Sequence, residues 1–158
     1  MNSHRSVSLS GGHGIRILAT CAAIDLALAL LHVGAIFFGE AGARFFTAPR
    51  FVLELIRTGS WLIAPVCLVI VSVLGTFALY AWSAAGRMRR LPWQRGGLMT
   101  IGCIFTLRGL VLFPQLVLMQ RHPGVFPWQG PVFSAVALAL GIAHLVGARM
   151  RWHALIPA

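Results

Sequence analysis

Four stretches of this chain, 15–38, 60–82, 97–119 and 130–150, are nearly unbroken runs of apolar residues. Each is close to the ~20 residues that carry an α-helix across ~30 Å of hydrocarbon at ~1.5 Å per residue. In hydrocarbon the backbone N–H and C=O groups have no water to bond, so a spanning segment of this kind must satisfy them within its own helix. The expected fold is therefore all-α, an integral membrane four-helix bundle. Composition agrees, because charged residues make up only 10% of the chain, against about 25% in a soluble domain.

The first run invites a second reading. Arg5 and Arg16 lie before and at its start and Ala41-Gly42-Ala43 follows it, as in a cleavable signal peptide. Such a peptide has an apolar core of about 7–15 residues. This run is longer and contains Asp25, so it reads as an uncleaved span. Residues 1–14 are polar and Ser/Gly-rich and are expected to be a flexible tail. The membrane domain then covers 15–152, and 153–158 form a short C-terminal tail.

Arginine placement orients the bundle. All 13 basic residues are Arg, and the net charge is +10. Arg5, Arg16, Arg87, Arg89, Arg90, Arg95, Arg149 and Arg151 fall on one side of the four spans, and Arg44, Arg50, Arg57 and Arg121 on the other. Cytoplasmic loops carry the arginine excess, so both termini are expected in the cytoplasm. A nucleic-acid site would cluster its cations on one face with aromatics between them. Here they lie between apolar runs, which points to anionic lipid headgroups at Arg87, Arg89, Arg90 and Arg95 and excludes nucleic acid. Trp61, Trp82, Trp93, Trp128 and Trp152 all fall near the ends of the spans, where an indole ring sits half in lipid with its N–H in water.

The first outer loop, 39–59, holds Pro49 followed by Phe51, Val52, Leu55 and Ile56 on one helical face, with Arg50, Glu54 and Arg57 on the other. This predicts a short amphipathic helix in the outer interface, serving as an anchor or as a lid. The fourth run contains small residues four apart, such as Ala137 and Gly141 or Ala143 and Gly147, which permit close backbone approach without choosing between bundle and dimer.

Ionisable residues inside the spans are the most informative feature. Asp25 and His32 lie on the first, Arg108 on the third and His144 on the fourth. Each costs about 2.5–3.5 kcal/mol at the bilayer centre on insertion scales, so each should face inward and find a partner. Asp25 and Arg108 both lie roughly 15 Å deep in helices running the same way. Seven residues further on come His32 and Gln115, on the same faces. If those faces meet, Asp25 pairs with Arg108 through a bidentate fork and His32 approaches Gln115. Three readings stay open: a structural ion pair, an Arg108 anchor for an anionic headgroup or carboxylate substrate, and a proton path through His144, Asp25, His32 and Glu40.

Cys21, Cys67 and Cys103 each lie within an apolar run and form no disulfide framework. Cys21, Cys103 and His144 share a broad depth, but no two have ligand spacing on one segment, so no metal is expected. The chain has only three acids, Asp25, Glu40 and Glu54. It has no phosphate loop, CxxC, HExxH or nucleophile elbow. No enzyme activity and no cofactor are expected.

The segments GSWLIAP at 59–65, FALYAWSAAGRMRRLPW at 77–93 and IGCIFTLRGL at 101–110 resemble a group of small bacterial inner-membrane proteins with four helices and about this length. The resemblance implies a bacterial origin, an inner-membrane location and the same four-helix plan. It carries over no catalytic or ligand residue. The function expected is that of a non-enzymatic accessory or interaction subunit, with a protein partner or a second copy of the chain. The alternative is a small transporter or ligand-binding protein built on Asp25 and Arg108.

Sidedness has a direct test. Single cysteines placed at Arg89 and at Arg121 are expected to react with an impermeant maleimide from opposite faces of sealed vesicles. Labelling of both from one face would overturn the loop assignment.

Overall fold

The computed structural model of the protein describes residues 3–124 and 127–155. Six α-helices are present among them: α1 (Ser3–Phe45), α2 (Arg50–Arg57), α3 (Ile63–Ala84), α4 (Gln94–Leu110), α5 (Leu112–Arg121) and α6 (Gln129–Met150). A 3-10 turn, Trp152–Leu155, follows. Four helical segments are long and apolar enough to cross a membrane: Gly12–Phe45, Ile63–Ala84, Gln94–Arg121 and Gln129–Met150. The five tryptophans stand within a few residues of helix ends, as expected.

Two helix breaks have identifiable causes. In α1 the break is at Gly39, whose φ of 53° and ψ of −124° are non-helical. A Cβ there would meet nothing within 4 Å, so the requirement for glycine is one of backbone conformation. Beyond it the chain folds back, and a Cβ on Gly42 would lie 2.8 Å from the Ala35 backbone. In the third span the break falls at Val111, between α4 and α5. Pro114 has no N–H, and its ring crowds the carbonyl four residues earlier, that of Leu110.

Both chain ends differ from expectation. Residues from Ser3 onward continue α1, so the segment read as a tail is helical from that point. Once a helix is nucleated, each further residue adds a hydrogen bond without a new nucleation cost. At the other end Leu155 is buried, and the domain extends past residue 152.

Helix α1 packs against α3 and α6, while α4 packs chiefly against α6. The spans therefore run α3, α1, α6, α4 around the bundle, with a lighter α3–α4 contact closing it. On α1 the buried residues Leu18, Cys21, Ala22, Asp25 and Ala29 form one helical stripe. The α4–α6 crossing rests on glycine: a Cβ on Gly109 would lie 2.4 Å from the Leu138 backbone, and one on Gly141 would lie 2.5 Å from the Thr106 N and 2.9 Å from the Gly102 carbonyl. The small residues of the fourth span thus serve packing within the chain.

Each face of the bundle is tied by polar contacts. Among the described residues, Gly14 packs on Arg151 and Met150, and Arg95 Nε donates to the Trp152 carbonyl at 2.9 Å with its guanidinium 4.4 Å from the Trp152 ring centre. Buried Ser83 anchors the α3–α4 loop, donating to the Arg89 carbonyl at 2.7 Å and accepting from the Leu91 N–H at 3.0 Å and Gln94 Nε2 at 2.6 Å. On the opposite face Glu40 accepts from Arg44 at 2.7 Å and Arg57 at 2.9 Å. This clamp ties α2, which has the amphipathic pattern expected of it, to the chain beyond the Gly39 break. Behind α2, Val52 and Ile56 line an apolar cavity of about 530 Å³ shared with α1 and α3.

The glycine contact at the α4–α6 crossing is expected to be steric. Gly109→Ala should lower stability in detergent by roughly 1–3 kcal/mol, as overpacking does. Gly75→Ala, where a Cβ meets nothing within 4 Å, should be neutral or slightly stabilising. Equal melting curves for Gly109→Ala and the parent chain would contradict the crossing.

Candidate functional site

Asp25 meets His144, not Arg108. Its Oδ2 lies 3.2 Å from His144 Nε2, and both side chains are 0% exposed. The expected pairing with Arg108 assumed that α1 and α4 face each other because the two residues share a depth. Helix α6 stands between them and takes the polar face of each. Asp25 turns toward the C-terminal half of α6, at His144, and Arg108 turns toward α6 nearer its start, at Ser134.

The His144 ring is held from its other side. Nδ1 lies 2.9 Å from the Leu140 carbonyl, one turn back on α6. A carbonyl only accepts, so Nδ1 carries a proton and Nε2 is left for Asp25. With one further proton, on Nε2 or on the carboxyl group, the pair as a whole would be neutral. A buried site favours that state, because a lone buried charge is far more costly. The 3.2 Å contact has the distance of an ion pair but not the direction of a hydrogen bond. Among the described residues, Asp25 Oδ1 and Oδ2 and His144 Nε2 accordingly make no hydrogen bond.

All four spans enclose this pair. Cys21, one turn before Asp25 on α1, also interacts with the His144 side chain. Phe105 of α4 stacks on the His144 ring at 5.7 Å and 22°. Phe77 of α3 meets Phe105 edge-on at 5.6 Å. Cys103 lies exposed on α4, away from Cys21 and His144, and no group of three or more His, Cys, Asp or Glu among the described residues has the geometry to hold a metal.

Arg108 belongs to a second polar chain. Its Nη1 donates to Ser134 Oγ at 2.9 Å, and the Ser134 hydroxyl donates to Gln115 Oε1 at 2.7 Å. Ser134 is fully buried, whereas Arg108 is exposed on the flank of the bundle. Gln115 is therefore engaged by Ser134, and His32 does not reach it. His32 Nδ1 instead faces the Leu28 carbonyl at 2.8 Å, and its ring stacks on Phe46 at 4.5 Å. Phe46 in turn stacks on Phe133 at 5.6 Å. Glu40 is held by Arg44 and Arg57. The residues once aligned as a proton path thus fall into separate clusters, with Asp25 and His144 side by side and His32 about 10 Å along the helix.

Ser134 and Cys21 were missed as partners. A single Ser in an apolar helix draws little notice, yet Ser134, Ala137, Gly141, His144 and Ala148 lie on one stripe of α6. Reading that stripe as a surface shared by two neighbours would have placed both polar contacts.

Comparison with protein-family models, with curated proteins and with solved structures finds no match for this chain. The reading of the site rests on its geometry.

A double-mutant cycle separates the two possible partners of Asp25. Asp25→Asn and His144→Gln should show a coupling of at least about 1 kcal/mol in detergent unfolding, as contacting residues do. Asp25→Asn and Arg108→Gln should add to within roughly 0.5 kcal/mol. Coupling in the second cycle and additivity in the first would reverse the assignment.

Proposed function

We propose that this chain is a non-enzymatic accessory or interaction subunit of the bacterial inner membrane, with both termini cytoplasmic. The observation that carries this reading is the division of its ionisable residues. Asp25 and His144 are sealed among the four spans at 0% exposure, where they hold neighbouring helices together. Arg108, by contrast, is displayed on the lipid-facing flank beside exposed Leu107 and Val111. A cation on such a surface, with a neutral Ser as its described hydrogen-bond partner, suits a protein whose role is to be recognised within the membrane.

Anionic headgroups are the second set of partners. Arg87, Arg89 and Arg90 are exposed on the arginine-rich face. Burial, and then the like charge of Arg90, lowers the pKa of Arg151, and an anion at this face would relieve that repulsion. Arg95 is less available for lipid than its position in the loop suggests, because the Trp152 carbonyl and ring hold its guanidinium.

A ligand-binding or transport role has one observation in its favour, the linked Arg108, Ser134 and Gln115 side chains, which together offer a fork and an amide to an anionic solute. It fits less well with Asp25 and His144 being sealed.

Native extraction decides between them. An interaction subunit should migrate in a discrete complex well above its 17.1 kDa chain mass after mild detergent or polymer extraction from its own membrane. A species of one chain alone under every mild condition would end this reading.

A further inference from the structure

The docking surface is the Arg108 flank of α4, and we propose that it receives a transmembrane helix of a different protein carrying one Asp or Glu at the level of Ser134. This deepens the interaction-subunit reading and rests on it.

The placement of Arg108 comes first. Its neighbour Gly109 packs on Leu138, nine residues into the 22-residue α6, so Arg108 leaves its backbone near mid-span. The guanidinium head reaches Ser134, five residues from the start of α6, about 8 Å along its axis. A lipid-exposed arginine with nothing to hold it extends along the membrane normal to the headgroups. Here the Ser134 hydroxyl, itself fixed by Gln115, holds the head beside α6.

Donor accounting comes next. A guanidinium has five N–H donors in a planar fork and cannot be deprotonated in a protein. Ser134 takes one, through Nη1. The hydroxyl is neutral, so the positive charge stays uncompensated by it, and the group that best fills the rest of a planar fork is a carboxylate. This chain has three acids. Asp25 is enclosed with His144, Glu40 is clamped by Arg44 and Arg57 on the outer face, and Glu54 lies on α2 beside Arg57. None is placed to serve Arg108.

The same accounting rules out a second copy of the chain on this flank. A symmetric contact would bring two Arg108 side chains together in hydrocarbon with no carboxylate at that level. The occupant must be another protein that supplies the acid. Exposed Ile104, Leu107 and Val111 lie at the helical spacings around Arg108 that present one continuous strip to a neighbouring helix, so an apolar helix with a single acid matches the surface in both chemistry and shape.

The test uses the purified full-length chain in phosphatidylcholine vesicles, with a donor fluorophore at its N-terminus. Acceptor-labelled Leu/Ala host helices carry Asp, Asn or Leu about 8 Å inside one end. The Asp helix is expected to associate about tenfold more tightly than the Leu helix, in line with polar contacts between model helices. Arg108→Leu should abolish that difference, and Arg108→Lys should retain part of it. Melting curves of both variants establish that they fold. Equal binding of Asp and Leu helices, or an Asp preference that survives Arg108→Leu, overturns the proposal. So does a preference in phosphatidylcholine that vanishes when phosphatidylglycerol replaces it, because an anionic lipid would then be the occupant that Arg108 favours. Native extraction of the Arg108→Leu variant separates the two levels: a complex that persists keeps the subunit reading and removes this surface, while a lone chain in both parent and variant removes both.

Discussion

The close approach of α6 to two helices at once is the contact on which the remaining architecture depends. Without a hydrophobic drive between helices in lipid, association relies on van der Waals packing and polar contacts. Both weaken steeply with distance. Gly141 lets α6 sit against Thr106 and Gly102 of α4, and Gly147 lets it sit against Leu18 of α1. With α6 held between these neighbours, His144 lies within reach of Asp25 and Ser134 within reach of Arg108. Larger side chains at these glycines would separate the backbones, and each polar group would then face lipid.

The two polar clusters solve the hydrocarbon problem differently. Asp25 and His144 stand side by side as an acid and a base that can compensate each other, and Phe105 covers the pair. Such a unit contributes little net stability, since desolvation offsets most of the attraction, but it penalises any packing that separates α1 from α6. Its imperfect hydrogen-bond direction and the unpartnered Asp25 Oδ1 make it a constraint on helix choice more than a source of binding energy. Arg108 cannot be neutralised this way. Its proton does not leave, so its cost is lowered only by partners, and Ser134 with Gln115 supplies dipoles without a counter-charge.

Much of the fold was legible because it follows from composition along one dimension. Run length, the tryptophans and the amphipathic pattern after Pro49 located four spans and a short amphipathic helix. The candidate site was less legible because partners depend on which helices are neighbours. Depth along a helix can be read from residue counting, and it put Asp25 and Arg108 at one level. Adjacency is set by glycines whose role appears only once two backbones are brought together. Gly102 and Gly109 looked like ordinary small residues, and Gly141, which stood out as permitting close approach, did not reveal that α4 is the helix it meets. The fold-back after Gly39 was hidden for a similar reason: a positive φ leaves no mark on sequence beyond the glycine itself.

Charge is distributed so that acids are internal fasteners and arginines are displayed. Asp25 joins α1 to α6, and Glu40 joins the chain beyond Gly39 to α2. Each acid therefore has its counter-group within the chain, whereas arginines outnumber acids by 13 to three. On the water-facing ends that surplus is inexpensive, because solvent and headgroups screen it. Arg108 leaves its backbone near mid-span, far from either end of the Gln94–Arg121 segment, where neither screen operates at full strength. The surplus at the ends of the bundle costs little, and folding alone does not explain why Arg108 is kept beside the buried Ser134 hydroxyl.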